Sequence, residues 1–510
     1  FVQRRDWANV YRLAQNIKAL DKNDPEGYFL AGIAEKAASR FNLAIEALTR
    51  ALNLSPLRYD AAIELAQVYL LLLRHREAYD LLNHHEHQLS NSPLYLDMAA
   101  NTFSGLGLHT RAWPLYQKAN SLQPDIDSFR ANLAACGVLL GKVKEAKAIY
   151  TSLTNKYPQY QKNHYELSKL EPTKDAIHVE SMQEILIRSK SPADKNIFMY
   201  YAIGKELEDL GRWKESFEYY VKAGKAVLSV ANYDVLDDIK VIESIIKTCD
   251  ADWLSTDTVP KSGKTSLKTP IFIVGLPRTG TTLVERILSS HSQVESADET
   301  FFMQMAIRHV SGAGGINELD AEIIENAADK DIRLIAQHYM DSVEYRLSGQ
   351  SMFIDKYPYN FLYLGFIAKA FPDARIVYLK RNPMDACFAM FKQSFFKFAY
   401  SLDDLGRYYI AQDRLRSHWQ SILGDRIIEV DYESLVTGQE SKTKEILTKL
   451  GLKFEQGCLD FEKNPASSAT ASTLQVREKI HTRSVNKWKY FTDELEPLKT
   501  ILNQAGIKTE

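Results

Sequence analysis

At 510 residues the chain is too long for a single hydrophobic core, and two or three domains are expected. Its composition, 45% hydrophobic and 25% charged with a net charge of -2, is that of an ordinary globular protein, and no apolar run approaches the roughly 18 residues of a membrane span. Nothing in the overall charge points to nucleic acid or lipid as a partner. Cys136, Cys249, Cys387 and Cys458 are scattered, without CxxC spacing, so neither a zinc site nor a disulfide framework is indicated and a reducing, cytoplasmic setting is expected. Because the chain opens at Phe1 rather than methionine, a trimmed N-terminus is expected, and any targeting segment before it would not be visible.

The first half repeats. Ala44, Ala78, Ala112 and Ala146 fall at intervals of 34, each preceded by a small residue twelve positions earlier: Gly32, Ala66, Ala100 and Ala134. A fifth copy stands at Gly204 and Ser216, leaving room for one degenerate unit. Four positions after each anchor comes a large apolar residue, namely Leu48, Leu82, Tyr116, Tyr150 and Tyr220. Twelve after the anchor, the first four copies carry Pro56, Ser90, Pro124 and Pro158, residues that end a helix, whereas the fifth carries Leu228. The pattern resembles the tetratricopeptide repeat, a 34-residue helix-turn-helix whose copies stack into a superhelix with a concave groove. By themselves such repeats predict binding rather than chemistry. An all-helical domain with accidental alanine spacing is the plainer alternative.

Around Cys249 to Lys268 the composition turns polar, with Pro260 and Gly263, and a linker is expected. Within it "SGKTS" offers a Gly-Lys-Thr, but Thr258 occupies the first-glycine position of a nucleotide loop and no strand precedes it, so it reads as a connection. Beyond it, β-rich runs alternate with helical stretches: residues 270–275, 352–355, 375–379 and 426–430 as strands, with helices from about Thr282, near Phe361 to Phe371, from Met384 and after the last strand. That alternation predicts a parallel sheet with helices on both faces. The expected organisation is an all-α superhelix over 1–248, a linker over 249–268 and an α/β domain over 269–510.

"GLPRTGTT", Gly275 to Thr282, lies where the first strand turns into a helix, so its backbone N–H groups and the positive helix end favour a phosphate. A plain tight turn is the bland alternative. Thr281 stands where a nucleotide-hydrolysing loop carries its lysine, which favours a terminal monophosphate over a triphosphate. At this point the segment resembles the sulfotransferases that use 3′-phosphoadenosine 5′-phosphosulfate (PAPS), and among them the tyrosylprotein sulfotransferases and bacterial proteins that join repeats to such a domain. The resemblance runs from about Pro270 to Trp488.

It implies that Pro277, Arg278, Thr279, Gly280, Thr281 and Thr282 form the 5′-phosphosulfate loop, with Arg278 holding the transferring group. It implies that Glu299 is the catalytic base and that Lys356 neutralises the departing phosphate. A carboxylate within reach of a hydroxyl suits proton abstraction, although Glu299 could equally cap the helix that follows, and Lys356 could be an ordinary loop lysine. Arg381 matches the arginine of the 3′-phosphate motif, whose serine and second arginine are here Ala389 and Gln393. Tyr432, Ser472 and Lys487 match further cofactor contacts, and Arg477 with Lys479 and Arg483 adds cationic surface near the closing loop. Phe301 and Met305 stand where tyrosylprotein enzymes place arginines that grip acidic peptides. The expected function is sulfuryl transfer to a hydroxyl acceptor, peptidyl tyrosine being one such acceptor, with no metal and with the repeats recruiting substrate or partner. A magnesium-dependent kinase or NTPase, and a repeat scaffold with a degenerate enzyme domain, are the alternatives.

Overall fold

Helix follows helix at the start of the chain because small residues recur where paired helices touch. In a computed structural model, which describes residues 4–88, 91–256, 268–313, 319–468, 470 and 472–510, the chain divides into two compact units, Phe1–Lys142 and Val143–Glu510. In the first unit Pro25–Ala37 pairs with Phe41–Leu54, Tyr59–Leu71 with His75–His85, and Pro93–Gly105 with His109–Leu122. Ala44, Ala66, Ala78, Ala100 and Ala112 are fully buried at these contacts. A Cβ on Gly32 would lie 2.5 Å from the Leu48 side chain. The second helices of the first and third pairs stop at Leu54 and Leu122, two residues before Pro56 and Pro124. Ser90 lies outside the described residues. This is an all-helical, tetratricopeptide-like repeat region.

Repeat helices also open the second unit: Val143–Lys156, the short Gln161–Ser168 and Ile177–Ser189 of the degenerate repeat, then Ile197–Asp209 and Trp213–Leu228, followed by Val235–Thr248. The reading from sequence put the end of the repeat domain at 248, whereas the structure divides before Val143. The reason is the aromatic face of the later repeats, which packs on the residues of the sheet domain. Trp213 stacks on Tyr490 at 4.5 Å, Phe217 on Phe391 at 5.5 Å, and the Tyr165 hydroxyl meets Ser394 Oγ at 3.3 Å. Met199, Tyr201 and Tyr220 join one continuous core with Phe272, Tyr363 and Phe391. Part of the expected linker is packed as well: Asp250 caps the short helix Ala251–Ser255, and the Trp253 indole N–H donates to the Ala328 carbonyl at 3.1 Å. The "SGKTS" stretch lies outside the described residues.

Five parallel strands follow: β1 (Thr269–Gly275), β2 (Val294–Ser296), β3 (Met352–Asp355), β4 (Arg375–Lys380) and β5 (Ile427–Asp431), in the order β2-β3-β1-β4-β5. Alternation along β1 feeds two cores: Phe272 and Val274 face the one shared with the repeat helices, Ile271 and Ile273 the one behind, with Val284, Ile287 and Leu447. The chain leaves β1 toward β3 and β2 on one side and toward β4 and β5 on the other. β1 therefore sits at the point where strand order reverses, the place where open α/β sheets bind ligands. No helix among the described residues is long and apolar enough to cross a membrane.

A repeat helix approaches the sheet domain closely at Gly224, where an added Cβ would stand 2.3 Å from the Tyr400 carbonyl oxygen. Backbone cannot step aside as a side chain can. Gly224→Ala is expected to destabilise the protein by about 1–3 kcal/mol, read as a lower denaturant midpoint. An unchanged midpoint would contradict this packing.

Candidate active site

The turn after β1 is built by two glycines and one strained arginine. Gly275 has φ 142° and a Cβ there would meet the Leu379 carbonyl at 2.6 Å; Gly280 has φ 100° and a Cβ would strike the Tyr432 ring at 2.5 Å. Arg278 adopts φ 68°, unusual for a residue with a side chain. The turn is closed by Thr279, whose hydroxyl donates to the Leu276 carbonyl at 2.6 Å. The helix Thr281–Leu288 then starts from Gly280 with no side-chain cap, so its first N–H groups offer an anion site.

Around this turn lies a cavity of about 100 Å³ lined by Pro277, Arg278, Gly280, Thr281, Thr282 and Glu299, with Tyr357, Pro358, Tyr359, Phe395 and Phe396 as an aromatic wall and Thr470 and Ser472 closing it. Arg278 donates Nη1 to Ser472 Oγ at 2.5 Å and Nη2 to Gln475 Oε1 at 3.3 Å. Burial, then the nearby Arg381 charge, lowers its pKa to about 10, which leaves it a cation at neutral pH. Thr282 Oγ1 donates to Thr470 Oγ1 at 3.2 Å.

Glu299 and Lys356 meet because β2 and β3 are neighbours in register. The Ala297 N–H donates to the Ile354 carbonyl at 2.8 Å and the Lys356 N–H to that of Asp298 at 3.3 Å, extending the ladder past the strand ends. Lys356 Nζ then stands 2.5 Å from Glu299 Oε1 and 3.5 Å from Glu285 Oε2, with the lysine fully buried. Burial opposes its charge, but Glu299, Glu285 and Asp298 together outweigh that and raise its pKa. Glu285, buried one turn into the loop helix, accepts from Ser296 Oγ at 2.6 Å, and its pKa is raised chiefly by burial. Glu299 is not the N-cap of the helix Phe302–Ser311; Phe301 holds that position.

Arg381 lies on the other side of the turn. It donates Nη1 to the Arg278 carbonyl at 2.8 Å and Nη2 to that of Ser484 at 2.6 Å, and stacks over Tyr432 at 4.8 Å. The Tyr432 hydroxyl is 2.8 Å from Ser484 Oγ. A cleft of about 660 Å³ touches Thr279, Arg381 and Asn486 there. The Nε atoms of Arg278 and Arg381 are buried and lack a partner among the described residues. Lys487 pairs with Glu208. Arg477 is placed elsewhere: it donates Nη2 to the Ala466 carbonyl at 3.3 Å beside Arg286, which donates to the same oxygen at 2.9 Å. Of the seven expected positions outside the loop, Glu299, Lys356, Arg381, Tyr432 and Ser472 lie around it, Lys487 pairs with Glu208 beside Lys392, and Arg477 stands outside the cavity lining.

Three contributors were not singled out in the sequence. Glu285 is the lone acid in the loop helix "TTLVERIL", a signal that was legible. Asp355, just before Lys356, is fully buried and accepts from Thr300 Oγ1 at 2.8 Å, Tyr339 OH at 3.0 Å and Asn360 Nδ2 at 3.2 Å. The aromatic wall draws on two distant segments and has no local signal.

A parallel α/β sheet with an anion-binding turn at its switch point thus stands beside a buried carboxylate–lysine pair and flanking arginines, an arrangement that suits an anionic ligand. Comparison with known proteins narrows the class. The sequence model described as Sulfotransferase family matches residues 270–456. An uncharacterized protein of Aquifex aeolicus (strain VF5) is 30% identical over 381 residues, 73% of this chain and 49% of that protein. A putative protein-tyrosine sulfotransferase of Caenorhabditis briggsae is 24% identical over 231 residues, covering 43% of this chain and 80% of that one. Among solved structures, the sulfotransferase domain from the curacin biosynthetic pathway aligns at 18% identity and a TM-score of 0.36, over 48% of this chain and 100% of that domain. The chain spans about half the length of the first of these relatives. Residues 270–456 thus carry a domain that matches the sulfotransferase family model.

Burial raises the Asp355 pKa to about 7, against the hydrogen bonds from Thr300 and Tyr339 that favour its charge. Between about pH 4 and 7 the unfolded chain releases this proton while the folded chain keeps it, so the wild type loses stability as pH rises through that window. Asp355→Asn removes the titration. The variant's stability relative to wild type is therefore expected to improve from pH 5 to pH 8, by at most about 4 kcal/mol, measured as the difference in thermal midpoints. A difference that stays constant with pH would show that Asp355 is ionised when folded.

Proposed function

We propose that the chain transfers a sulfuryl group from PAPS to a hydroxyl acceptor. The observation that carries this reading is the convergence of Arg278, Glu299 and the open helix start at Thr281 on one small cavity, with the buried Lys356 paired to Glu299. The donor set suits PAPS, since the buried Nε atoms of Arg278 and Arg381 lack partners among the described residues and two lysines, Lys392 and Lys487, share the single acid Glu208 nearby. Bound there, PAPS would supply the activated sulfuryl group. The loop amides, Arg278, Thr281 and Thr282 would hold its 5′ end, Arg381 and Tyr432 its nucleotide, and Ser472 fixes the Arg278 guanidinium.

Glu299 takes the proton of the acceptor hydroxyl, which for a phenol has a pKa of about 10 and needs a base at the moment of attack. Lys356, held between Glu299 and Glu285, keeps the carboxylate oriented and offers a positive charge to oxygen as negative charge develops. The wall of Tyr357, Tyr359, Phe395 and Phe396 favours a flat aromatic acceptor and excludes water. Peptidyl tyrosine is such an acceptor, and a relative is described as a putative protein-tyrosine sulfotransferase. Phe301 and Met305 supply no charge for an acidic peptide, so recruitment falls to the repeats, whose stacked helices offer concave surface to a protein or peptide.

Adenosine 3′,5′-bisphosphate at 100 times its dissociation constant is expected to stabilise the protein by about 2.7 kcal/mol, with ATP plus magnesium giving less. Stabilisation by ATP and magnesium alone would favour a kinase or NTPase instead. Glu299→Gln is expected to lower turnover by about 10²-fold or more while leaving bisphosphate binding nearly unchanged. Full turnover in that variant, measured with radiolabelled sulfate donor, would remove Glu299 from the chemistry.

A further inference from the structure

The helix Pro383–Phe391 and the turn after it carry a defect and, beside it, a charge. The two motif positions that would add a hydroxyl and a guanidinium to Arg381 are Ala389 and Gln393, and the Gln393 side chain turns back to donate to the Ala389 carbonyl at 3.5 Å. Between them in the chain stands Lys392, the C-cap residue of that helix. Its Nζ lies 2.8 Å from Glu208 Oε1, and Lys487, from the closing loop, pairs with the same oxygen. Glu208 belongs to the repeat helix Ile197–Asp209, is 5% exposed, and accepts the Tyr220 hydroxyl at 2.9 Å on its other oxygen.

One carboxylate is thus shared by two lysines, with Arg278 close enough to act on Lys392. Lys392 is 16% exposed and Lys487 33%, so the two lysines on one buried acid form a cluster with one net positive charge that is only partly met by water and is open to a further anion. Burial, then Lys487 and Arg278, bring Lys392 down to about 8 despite Glu208, the signature of a group with too much like charge around it. The buried, unpartnered Nε atoms of Arg278 and Arg381 point to the same shortage of anion.

We propose that Lys392, together with Lys487, seats the 3′-phosphate of the donor nucleotide in place of the side chains missing at Ala389 and Gln393, and that Glu208 is the internal anion this phosphate competes with. The proposal rests on the PAPS reading above. It makes a residue of the repeat region a determinant of nucleotide selectivity. An acid placed there holds both lysines in position, and its charge weakens any anion that joins them.

The test is titration calorimetry on the full chain with adenosine 3′,5′-bisphosphate and adenosine 5′-monophosphate, the two probes differing only in the 3′-phosphate. Lys392→Gln should weaken bisphosphate binding about tenfold or more and leave the monophosphate unchanged. Glu208→Gln keeps both lysines and should tighten the bisphosphate about threefold or more, again without effect on the monophosphate. Equal weakening of both probes by Lys392→Gln, or no weakening of either, would overturn the proposal. Should that variant fail to fold, Glu208→Gln decides alone, and unchanged or weaker bisphosphate binding overturns it. A wild type that binds bisphosphate and monophosphate equally would instead remove the PAPS reading, and the proposal with it.

Discussion

The buried ammonium of Lys356 is the constraint around which the site is arranged. A fully buried lysine is tolerated only where acids surround it, and here Glu299 and Glu285 arrive from two different segments. Glu285 comes from the helix after β1, Glu299 from the turn after β2, Lys356 from the end of β3. Only the order β2-β3-β1 makes these three chain segments neighbours. The parallel register of β2 on β3, which pairs Ser296 with Ile354, then sets the spacing along the strand direction. A shift of one residue would turn Lys356 to the opposite face. The ion pair is thus a consequence of sheet topology.

The same reasoning explains why the later repeats cannot be regarded as an appendage. Glu208 and Tyr220 lie on helices of the 34-residue pattern, yet Glu208 meets Lys392 and Lys487 from the sheet domain, and Trp213 and Phe217 pack on Tyr490 and Phe391. Loss of those helices would leave two lysines without their counter-charge and expose aromatic surface. The earlier repeats in Phe1–Lys142 form their own unit with their own core around Leu48, Ala51 and Leu65. A single repeat family therefore contributes to two folding units. Periodicity records how helices pair with their sequence neighbours and carries no information about where the contact network divides.

What the sequence made legible follows the range of the interactions involved. Small residues spaced by 34, the Pro56 and Pro124 stops, and the runs that became β1, β3, β4 and β5 are local, and they appear as expected to within a residue or two. β2 was missed because "VES" is three residues long and has no alternation to display. The stretch expected as one helix near Phe361 begins as a 3-10 turn over Pro358–Tyr363 and becomes α-helical only at Leu364. Proline fixes the first φ but cannot supply the i to i+4 geometry. Arg278 and Glu299 could be found through the motif around them. Glu208 and Lys392 could not, because their contact spans 184 residues and joins two different sequence patterns.

The absence of a lysine in the loop has a structural counterpart. Thr281, at the first position of the loop helix, is 4% exposed and lines the cavity in which Glu299 also stands. A lysine there would have to extend into that cavity, toward the space between the turn and the aromatic wall. With threonine, the positive charge comes instead from Lys356 across the strand ends and from Arg278 on the strained turn, leaving the side that faces Tyr357 and Phe395 open. A P-loop lysine embraces the terminal phosphate of a triphosphate. Here cations approach from the flanks and the front is the aromatic wall. The substitution that makes the loop look defective as a nucleotide-hydrolysing motif is therefore what leaves the cavity beside the aromatic wall open.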